Sequence, residues 1–500
     1  MAINFLQSNT EKLKSDIRDQ QKEINKENKN NGNVGSPRTK AKNIKFPANT
    51  VEEERVFREE AVAAQTIAWK VLLPILLKQF SKIPDARRLK SIKHKITVLM
   101  FMGLLMFIFK MQSRRNVNNE MSRPQLIESL RKIFPELDSI PHADTIARFL
   151  ENIDPRHIES AHIKMIKDLL KNKKFKKLLI LGKLPISIDG VQKVVRNGVL
   201  HDDNWLERTI STTEGERSQK YVYILEANIT FHDGLTIPLM TEFLYFDGNP
   251  NQGKQDCELT AVYRFISRIK DKFKRQNIIV CLDKLYANNP VITAIEKVNW
   301  KYIIVLPGQK LKSINEALLK LKESRRHISG QERYNGRDQK WTFTDDVISK
   351  EGHKITAISC FESWFEVDSE TGKKVKKFSE HRWITNVVVT WKNIHEIANL
   401  CARKRWGIED SNNTEKNRGY CYKHLYSKDW NAMCCFHYLM RLGHAVNAIS
   451  EFTKKLKKLI LDFGCSYILR LIKETLENPW LTNTWFNNMN QQKAQLQLNL

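Results

Sequence analysis

Between residues 184 and 306 short apolar runs alternate with amphipathic helical segments, and this alternation constrains the fold more than any other feature. After an interruption at 308–382 the apolar pattern resumes. The predicted elements are a short strand ending at Asp189, a hairpin turning at 232–234, a helix over 256–273, a strand over 278–282, a helix over 290–298, a strand over 301–306, a strand over 383–390 and a helix from about 393. This succession predicts an α/β fold with a mixed sheet.

The charge is the first indication of function. Lys and Arg outnumber Asp and Glu by 83 to 56, which gives a net charge of +27. This surplus favours a polyanionic partner, because each phosphate neutralised by a basic side chain releases counterions. A basic soluble protein without nucleic acid is the plainer alternative, and attraction to a membrane surface is another.

Compartment signals favour the cytoplasm. No apolar N-terminal run resembles a signal peptide, and the most apolar stretch, residues 96–109, is too short to cross a bilayer comfortably. The 8 cysteines are scattered, unlike a disulfide framework. We therefore expect a reduced cytoplasmic protein with no membrane partner.

Composition divides the chain into parts. The expected parts are a mobile polar tail over 1–50, a basic helical domain over 51–178, an α/β domain over 180–450 with a β-rich insertion over 308–382, and a helical C-terminal region with a polar tail over 451–500. The basic helical domain suits DNA binding, although a solvated helix face would have the same composition.

Three carboxylates are placed where a metal site would need them. Asp189 and Asp283 each close an apolar strand-like run, and Glu409 lies on a predicted helix. Mg²⁺ prefers oxygen ligands and keeps several waters, so two or three carboxylates are the usual protein share. Aspartates at strand ends are common, however, and a lone glutamate on a helix is usually solvated.

The helix that carries Glu409 has an unusual polar stripe. Arg405, Glu409, Asn412 and Lys416 fall on one face at 3.6 residues per turn. The alternative is a solvated face on which Arg405 and Glu409 pair as i and i+4 neighbours. An apolar stripe that could pack on a sheet runs beside it and consists of Ile397, Cys401 and Ile408.

This pattern resembles the Tyr-x2-Arg-x3-Glu-x6-Lys signature of one branch of the DDE transposases of bacterial insertion sequences. Ala402 stands where the signature has tyrosine, a departure that puts that residue's contribution in doubt. The residues that carry the resemblance are Thr385-Asn386, Arg405-Trp406-Gly407-Ile408-Glu409 and Lys416. Stretches similar to another group of the superfamily are Ile188-Asp189-Gly190, Gly253 to Glu258, Leu282 to Tyr286, and Lys416 to Tyr420 with His424. The resemblance covers roughly residues 180–450, and more loosely the segment Ile83 to Arg88.

The resemblance implies a ribonuclease H-like catalytic fold and a reaction. Asp189, Asp283 and Glu409 would bind two Mg²⁺ ions, for which Mn²⁺ can substitute, while Arg405 and Lys416 would hold phosphates of the DNA end. Water would cleave the strand, and the freed 3′-hydroxyl would attack target DNA. The implied assembly is a homodimer on double-stranded DNA, associated with the bacterial nucleoid.

Several alternatives stay open at this level. A decayed or domesticated copy would bind DNA without cutting it, and a ribonuclease H-like nuclease would cut without joining. Asp256, followed closely by Glu258, is interpreted as a helix N-cap, or as an acid that stabilises the first turn of its helix, in preference to a fourth metal ligand. The tryptophans that could stack on an unpaired base, or pack in a core, are Trp341, Trp364 and Trp383.

Overall fold

The computed structural model describes residues 19, 20, 22, 23, 26, 46–197, 204–213, 215–245, 256–323, 332–349, 351–367 and 372–498. Two compact units divide the chain. The larger unit comprises residues 41–302 and 396–500, and the smaller comprises 1–40 and 303–395. Most of the predicted polar tail, and residues 253–255 of one family-like motif, lie outside the described residues.

The larger unit begins with helices, as the periodicity after Thr50 predicts. Their bounds are α1 Val51–Phe80, α2 Ile96–Ile108, α3 Arg114–Glu120, α4 Pro124–Ile133, α5 Ala143–Leu150 and α6 Arg156–Leu170. Thr50 caps α1, because its hydroxyl accepts a hydrogen bond from the Glu53 amide at 3.1 Å. Every residue of α2 from Val98 to Ile108 is buried, so α2 is a core helix.

Helix α1 is also long and apolar enough to cross a membrane by length and composition alone. Most of its apolar window is buried inside the protein, including Trp69 and Leu73. Such burial is typical of a core helix in a water-soluble protein, so α1 gives little support to a membrane span.

A mixed sheet forms the centre of the larger unit. Its strands are β1 Leu184–Asn197, β2 Leu206–Thr212, β3 Gly215–Thr230, β4 Thr236–Leu244 and β5 Ile278–Leu282. Strand β1 is parallel to β5, whereas the β1–β3, β2–β3 and β3–β4 pairs are antiparallel. The predicted hairpin at 232–234 is confirmed, and Gly234 takes a φ of +95° in its turn. The mixed α/β class predicted from the sequence is therefore confirmed.

The remaining helices of the larger unit come after its first four strands in the chain. They are α7 Glu258–Lys272, α8 Asn289–Lys297, α10 Trp406–Asn417, α11 Trp430–Glu451, α12 Lys454–Phe463, α13 Cys465–Glu477 and α14 Asn483–Gln491. Arg268 on α7 ties this layer to α6, because its Nη2 pairs with the Glu159 carboxylate. Residues 256–273 and 290–298, predicted as helices, agree with α7 and α8 to within two residues.

The smaller unit is built mainly of antiparallel strands. Its elements are the end of β6 Lys301–Val305, α9 Lys312–Glu323, β7 Glu332–Tyr334, β8 Arg337–Phe343, β9 Val347–Ile348, β10 Lys354–Val367 and β11 Lys374–Thr385. Strand β11 pairs with both β6 and β10, and β10 also pairs with β8 and β9. The exact limits of the predicted insertion and domains stay predictions.

Two predicted strands differ from the structure. β1 does not end at Asp189 but continues to Asn197, because Val191 and Val194 are buried and keep it paired with β3. The strand predicted over 383–390 is β11, which lies earlier. Its first half is exposed and lysine-rich, and apolar patterning cannot identify a strand with both faces in water.

Candidate active site

Strands β1 and β5 bring two of the three predicted carboxylates together. Their parallel pairing places Ser187 opposite Cys281. Asp189 lies two residues beyond Ser187 within β1, and Asp283 lies two residues beyond Cys281, directly after the end of β5. Because neighbouring strands run about 4.8 Å apart, both residues lie near the point where the β1–β5 pairing ends. Asp283 follows β5 and precedes a 3₁₀ turn that contains Tyr286.

Glu409 reaches the sheet from helix α10. The segment before α10 is a π-helix, Glu396–Cys401, followed by a 3₁₀ turn ending at Arg405. Cys401 Sγ lies 3.4 Å from Cys281 Sγ, so this segment packs directly on β5. The predicted apolar stripe is confirmed, because Ile397, Cys401 and Ile408 are all buried.

Arg405 and Glu409 form an ion pair. Arg405 Nη2 donates to Glu409 Oε1 at 2.8 Å. The Arg405 side chain is 8% exposed and that of Glu409 is 36% exposed, so the pair is not the fully solvated one of the alternative interpretation. It leaves the second carboxylate oxygen of Glu409 available for another partner.

The first turn of α10 lies against the β3–β4 hairpin. A methyl group at Gly407 would come within 2.6 Å of Thr236 Oγ1 and 3.3 Å of Thr230 Cγ2. Glycine is therefore required for α10 to approach the hairpin this closely. Glu409 is two residues further on, so this contact sets its position relative to β1.

A buried charge cluster fixes the other end of α10. Glu415 Oε1 lies 3.0 Å from Arg441 Nη1 and 2.7 Å from His444 Nδ1, and Arg441 Nε lies 3.1 Å from Glu226 Oε2. Burial raises the pKa of Glu415, but the charge of Arg441 and the hydrogen bond from His444 outweigh it and lower the pKa to about 2. Glu415 is therefore an anion that holds α10 against α11.

The pKa of Asp189 depends on its burial and on several neighbouring charges. Burial is the main cause that raises the pKa of Asp189 to about 6. Arg405 opposes this shift, whereas the carboxylates of Glu409 and Glu258 add to it. The carboxylates of Glu409 on α10 and Glu258 on α7 thus add negative charge near Asp189. A divalent cation would reduce the repulsion among these carboxylates.

Glu258 was weighed in the sequence only together with Asp256, and it does not belong to the three predicted carboxylates. It lies in the first turn of α7, where its carboxylate accepts hydrogen bonds from Tyr223 at 2.7 Å and Tyr286 at 2.6 Å. The N-cap interpretation of Asp256 is wrong, because Cys257 is the N-cap. Asp256 instead pairs with Arg264 at 2.6 Å. The signal available in the sequence was the short spacing of the two acids before a helix.

The remaining predicted residues lie in different environments. Lys416 is exposed, with Nζ 5.9 Å from the Tyr422 ring centroid. Ala402 is buried in the 3₁₀ turn. Core packing is confirmed for Trp341 and Trp383, which are buried. Trp364 lies under Arg337, whose guanidinium carbon is 3.9 Å from the Trp364 ring centroid.

The donor set suits a hard divalent cation. Asp189, Asp283, Glu409 and Glu258 offer carboxylate oxygens, which Mg²⁺ and Mn²⁺ prefer. Within the described ranges, no group of three His, Cys, Asp or Glu side chains is already gathered closely enough to hold a metal ion. Glu409 Oε1 accepts a hydrogen bond from Arg405.

Two family models match parts of the chain. Residues 205–442 match the family model described as "Transposase DDE domain", and residues 77–166 match the model described as "DDE_Tnp_1-associated". The two matches cover about two thirds of the chain, and the first includes Asp283 and Glu409 but begins after Asp189. A search of curated proteins found no match.

Proposed function

Because the chain belongs to the DDE transposases, we propose that it cleaves DNA at the ends of an insertion element and joins them to target DNA. Asp189, Asp283 and Glu409 are the proposed catalytic carboxylates. One observation supports the proposal: Asp189 and Asp283 each follow the β1–β5 paired segment by two residues, and Glu409 acts electrostatically on Asp189.

The metal requirement follows from the donor set. DDE transposases generally use divalent metal ions, and we propose that Asp189, Asp283 and Glu409 hold two Mg²⁺ here, with Mn²⁺ as a substitute. Such a pair of ions supplies an activated water and stabilises charge on the leaving oxygen during phosphodiester cleavage. The part of the protein is to hold its carboxylates rigidly, which β1, β5 and the anchored helix α10 can do.

Arg405 and Lys416 are the proposed DNA-end contacts. Arg405 is buried against Glu409, where its fork of donors can hold a phosphate beside the carboxylates. Lys416 is exposed about two helical turns after Glu409 and can bind a neighbouring phosphate as a point charge. The spacing suggests the Tyr-Arg-Glu-Lys branch of the family, with buried Ala402 in place of its tyrosine.

The proposed partners are double-stranded element ends and target DNA. The net charge of +27 supports binding to a polyanion of this kind. Pairing of two ends requires more than one active site, so a homodimer on DNA is proposed. We place this assembly in the bacterial cytoplasm, associated with the nucleoid.

The test is cleavage of a labelled DNA fragment carrying the element's own ends, with Mg²⁺ or Mn²⁺. Native protein is compared with Glu409→Gln, and with Asp410→Asn as a control at the exposed neighbouring acid. Metal-dependent cuts at the ends that vanish only in Glu409→Gln are expected. Cutting that survives in this variant would remove Glu409 from the site.

Strand-transfer products distinguish the proposal from its alternatives. Joined products in the native reaction are expected from a transposase. Cutting without joining would indicate a nuclease, and binding without cutting would indicate a decayed or domesticated DNA-binding protein.

A further inference from the structure

Glu258 is held in place by two tyrosines from different elements. Tyr223 on β3 donates to its Oε2 at 2.7 Å, and Tyr286, in the turn after Asp283, donates to its Oε1 at 2.6 Å. Tyr286 is fully buried. Both carboxylate oxygens are thus fixed by donors whose positions depend on the sheet that carries Asp189 and Asp283.

The backbone of β1 passes directly beneath this carboxylate. A methyl group at Gly190 would come within 2.4 Å of both Glu258 Oε2 and the Tyr223 hydroxyl. Real Cβ atoms do not approach oxygen so closely, so residue 190 must be glycine for Glu258 to lie here. Gly190 follows Asp189 directly on β1, so the Glu258 carboxylate lies over the backbone of the residue next to Asp189.

The chemistry of this position goes beyond holding α7 on the sheet. Both tyrosine hydroxyls are neutral donors, so neither brings a positive charge to the Glu258 carboxylate. Each carboxylate oxygen has two lone-pair directions, of which a tyrosine takes one. If Glu258 served only to hold α7 on the sheet, an uncharged side chain would be sufficient. A carboxylate beside Asp189 adds repulsion that disfavours the metal-free fold.

We propose that Glu258 is a fourth carboxylate of the cation site, which binds a divalent ion together with Asp189 and is oriented by Tyr223 and Tyr286. This inference rests on the proposed function of Asp189 and Asp283. It extends the site from three acidic residues to four and gives α7 a role in metal binding.

The test measures Mn²⁺ binding to the full chain directly, by calorimetry and by the loss of the free-ion electron paramagnetic resonance signal. We expect Glu258→Gln to weaken binding of at least one Mn²⁺ tenfold or more, because the amide has the same shape but no charge. Asp256→Asn is the matched control, since this acid pairs with Arg264, and it should stay within about twofold of native affinity.

Asp189→Asn separates the two levels of the proposal. If Asp189→Asn abolishes Mn²⁺ binding and Glu258→Gln leaves it unchanged, the role of Glu258 is refuted and the proposed function stands. If neither variant changes Mn²⁺ binding, the cation site itself is refuted.

Tyr223→Phe decides the case if Glu258→Gln fails to fold by circular dichroism. It keeps the carboxylate charge and removes one orienting hydrogen bond, so a two- to fivefold weaker Mn²⁺ affinity is expected. Unchanged Mn²⁺ affinity in a folded Tyr223→Phe protein would overturn the inference.

Discussion

Asp189 lies on β1 two residues beyond Ser187, and Asp283 directly follows β5 two residues beyond Cys281, the residue that pairs with Ser187. Replacing either with asparagine removes a carboxylate and leaves the strand pairing intact. We expect Asp189→Asn and Asp283→Asn each to reduce DNA cleavage by about a thousandfold or more, corresponding to about 4 kcal/mol of lost transition-state stabilisation. Single-turnover cleavage of end-labelled DNA measures this loss.

DNA binding is the control for these two variants. An electrophoretic mobility shift should show affinity equal to that of native protein, or slightly higher, because a negative charge near the phosphates has been removed. Cleavage at the native rate in either variant would show that the in-register pair is not the catalytic one.

The Gly407 contact predicts that the position of α10 controls activity. Gly407→Ala places a methyl group 2.6 Å from Thr236 Oγ1, so the first turn of α10 must move and carry Glu409 with it. Overpacking of this kind costs about 1–3 kcal/mol of folding stability, and a 1 Å displacement of a catalytic group can cost about a hundredfold in rate. We expect cleavage to fall at least tenfold while the protein remains folded.

Thr236→Ala tests the cause of that loss. Combined with Gly407→Ala it removes the hydroxyl that the new methyl group meets, so part of the cleavage rate should return. A double variant as slow as Gly407→Ala alone would mean that the contact does not position Glu409.

The sequence predicts the sheet of the larger unit well because its strands are buried. The run Ile278–Leu282 is apolar throughout, is bounded by polar residues, and coincides with β5. Strand β2 was not predicted, since Leu206–Thr212 is mostly polar and its pairing with β3 has no local signature. Apolar periodicity indicates which residues are buried. An exposed strand is not predicted from it, because such a strand depends on pairing with partners distant in the chain.

The candidate site was only partly predictable for a related reason. Asp283 and Glu409 each stand in a local pattern that marks a strand end or a helix face, whereas Asp189 lies within β1 and not at its end. The local pattern at Glu258, a second acid close to Asp256 before a helix, does not show its contacts, which come from Tyr223 and from the missing side chain at Gly190. Contacts across the fold create that environment, and one sequence alone does not show them.

The anion at Glu415 predicts a specific acid sensitivity. Its pKa of about 2 in the folded protein lies below the ordinary value of 4.5, so its ionised form stabilises the fold. That stability is fully present above about pH 4.5 and is lost as pH falls towards about 2. We expect Glu415→Gln to lower the free energy of unfolding at pH 7 by about 3 kcal/mol, since it breaks a buried ion pair.

Urea denaturation of native and Glu415→Gln protein across this pH range measures the effect. The difference between the two should shrink as pH falls from about 4.5 towards 2, because the native glutamate then becomes neutral as well. A difference that stays constant with pH would show that Glu415 is not ionised in the folded protein.

Because Lys416 is exposed, we expect its replacement to weaken DNA binding by a factor that does not depend on the DNA sequence. Lys416→Ala removes one phosphate contact, so binding to element-end DNA and to unrelated DNA should weaken by a similar factor, and the slope of log affinity against log salt should fall by about 0.9. Titrations at several salt concentrations with both DNAs measure this slope. Lys423→Ala, at another exposed lysine beyond α10, is the comparison. An unchanged slope in Lys416→Ala would place Lys416 away from the phosphates, whereas a loss confined to element-end DNA would mean that it reads bases.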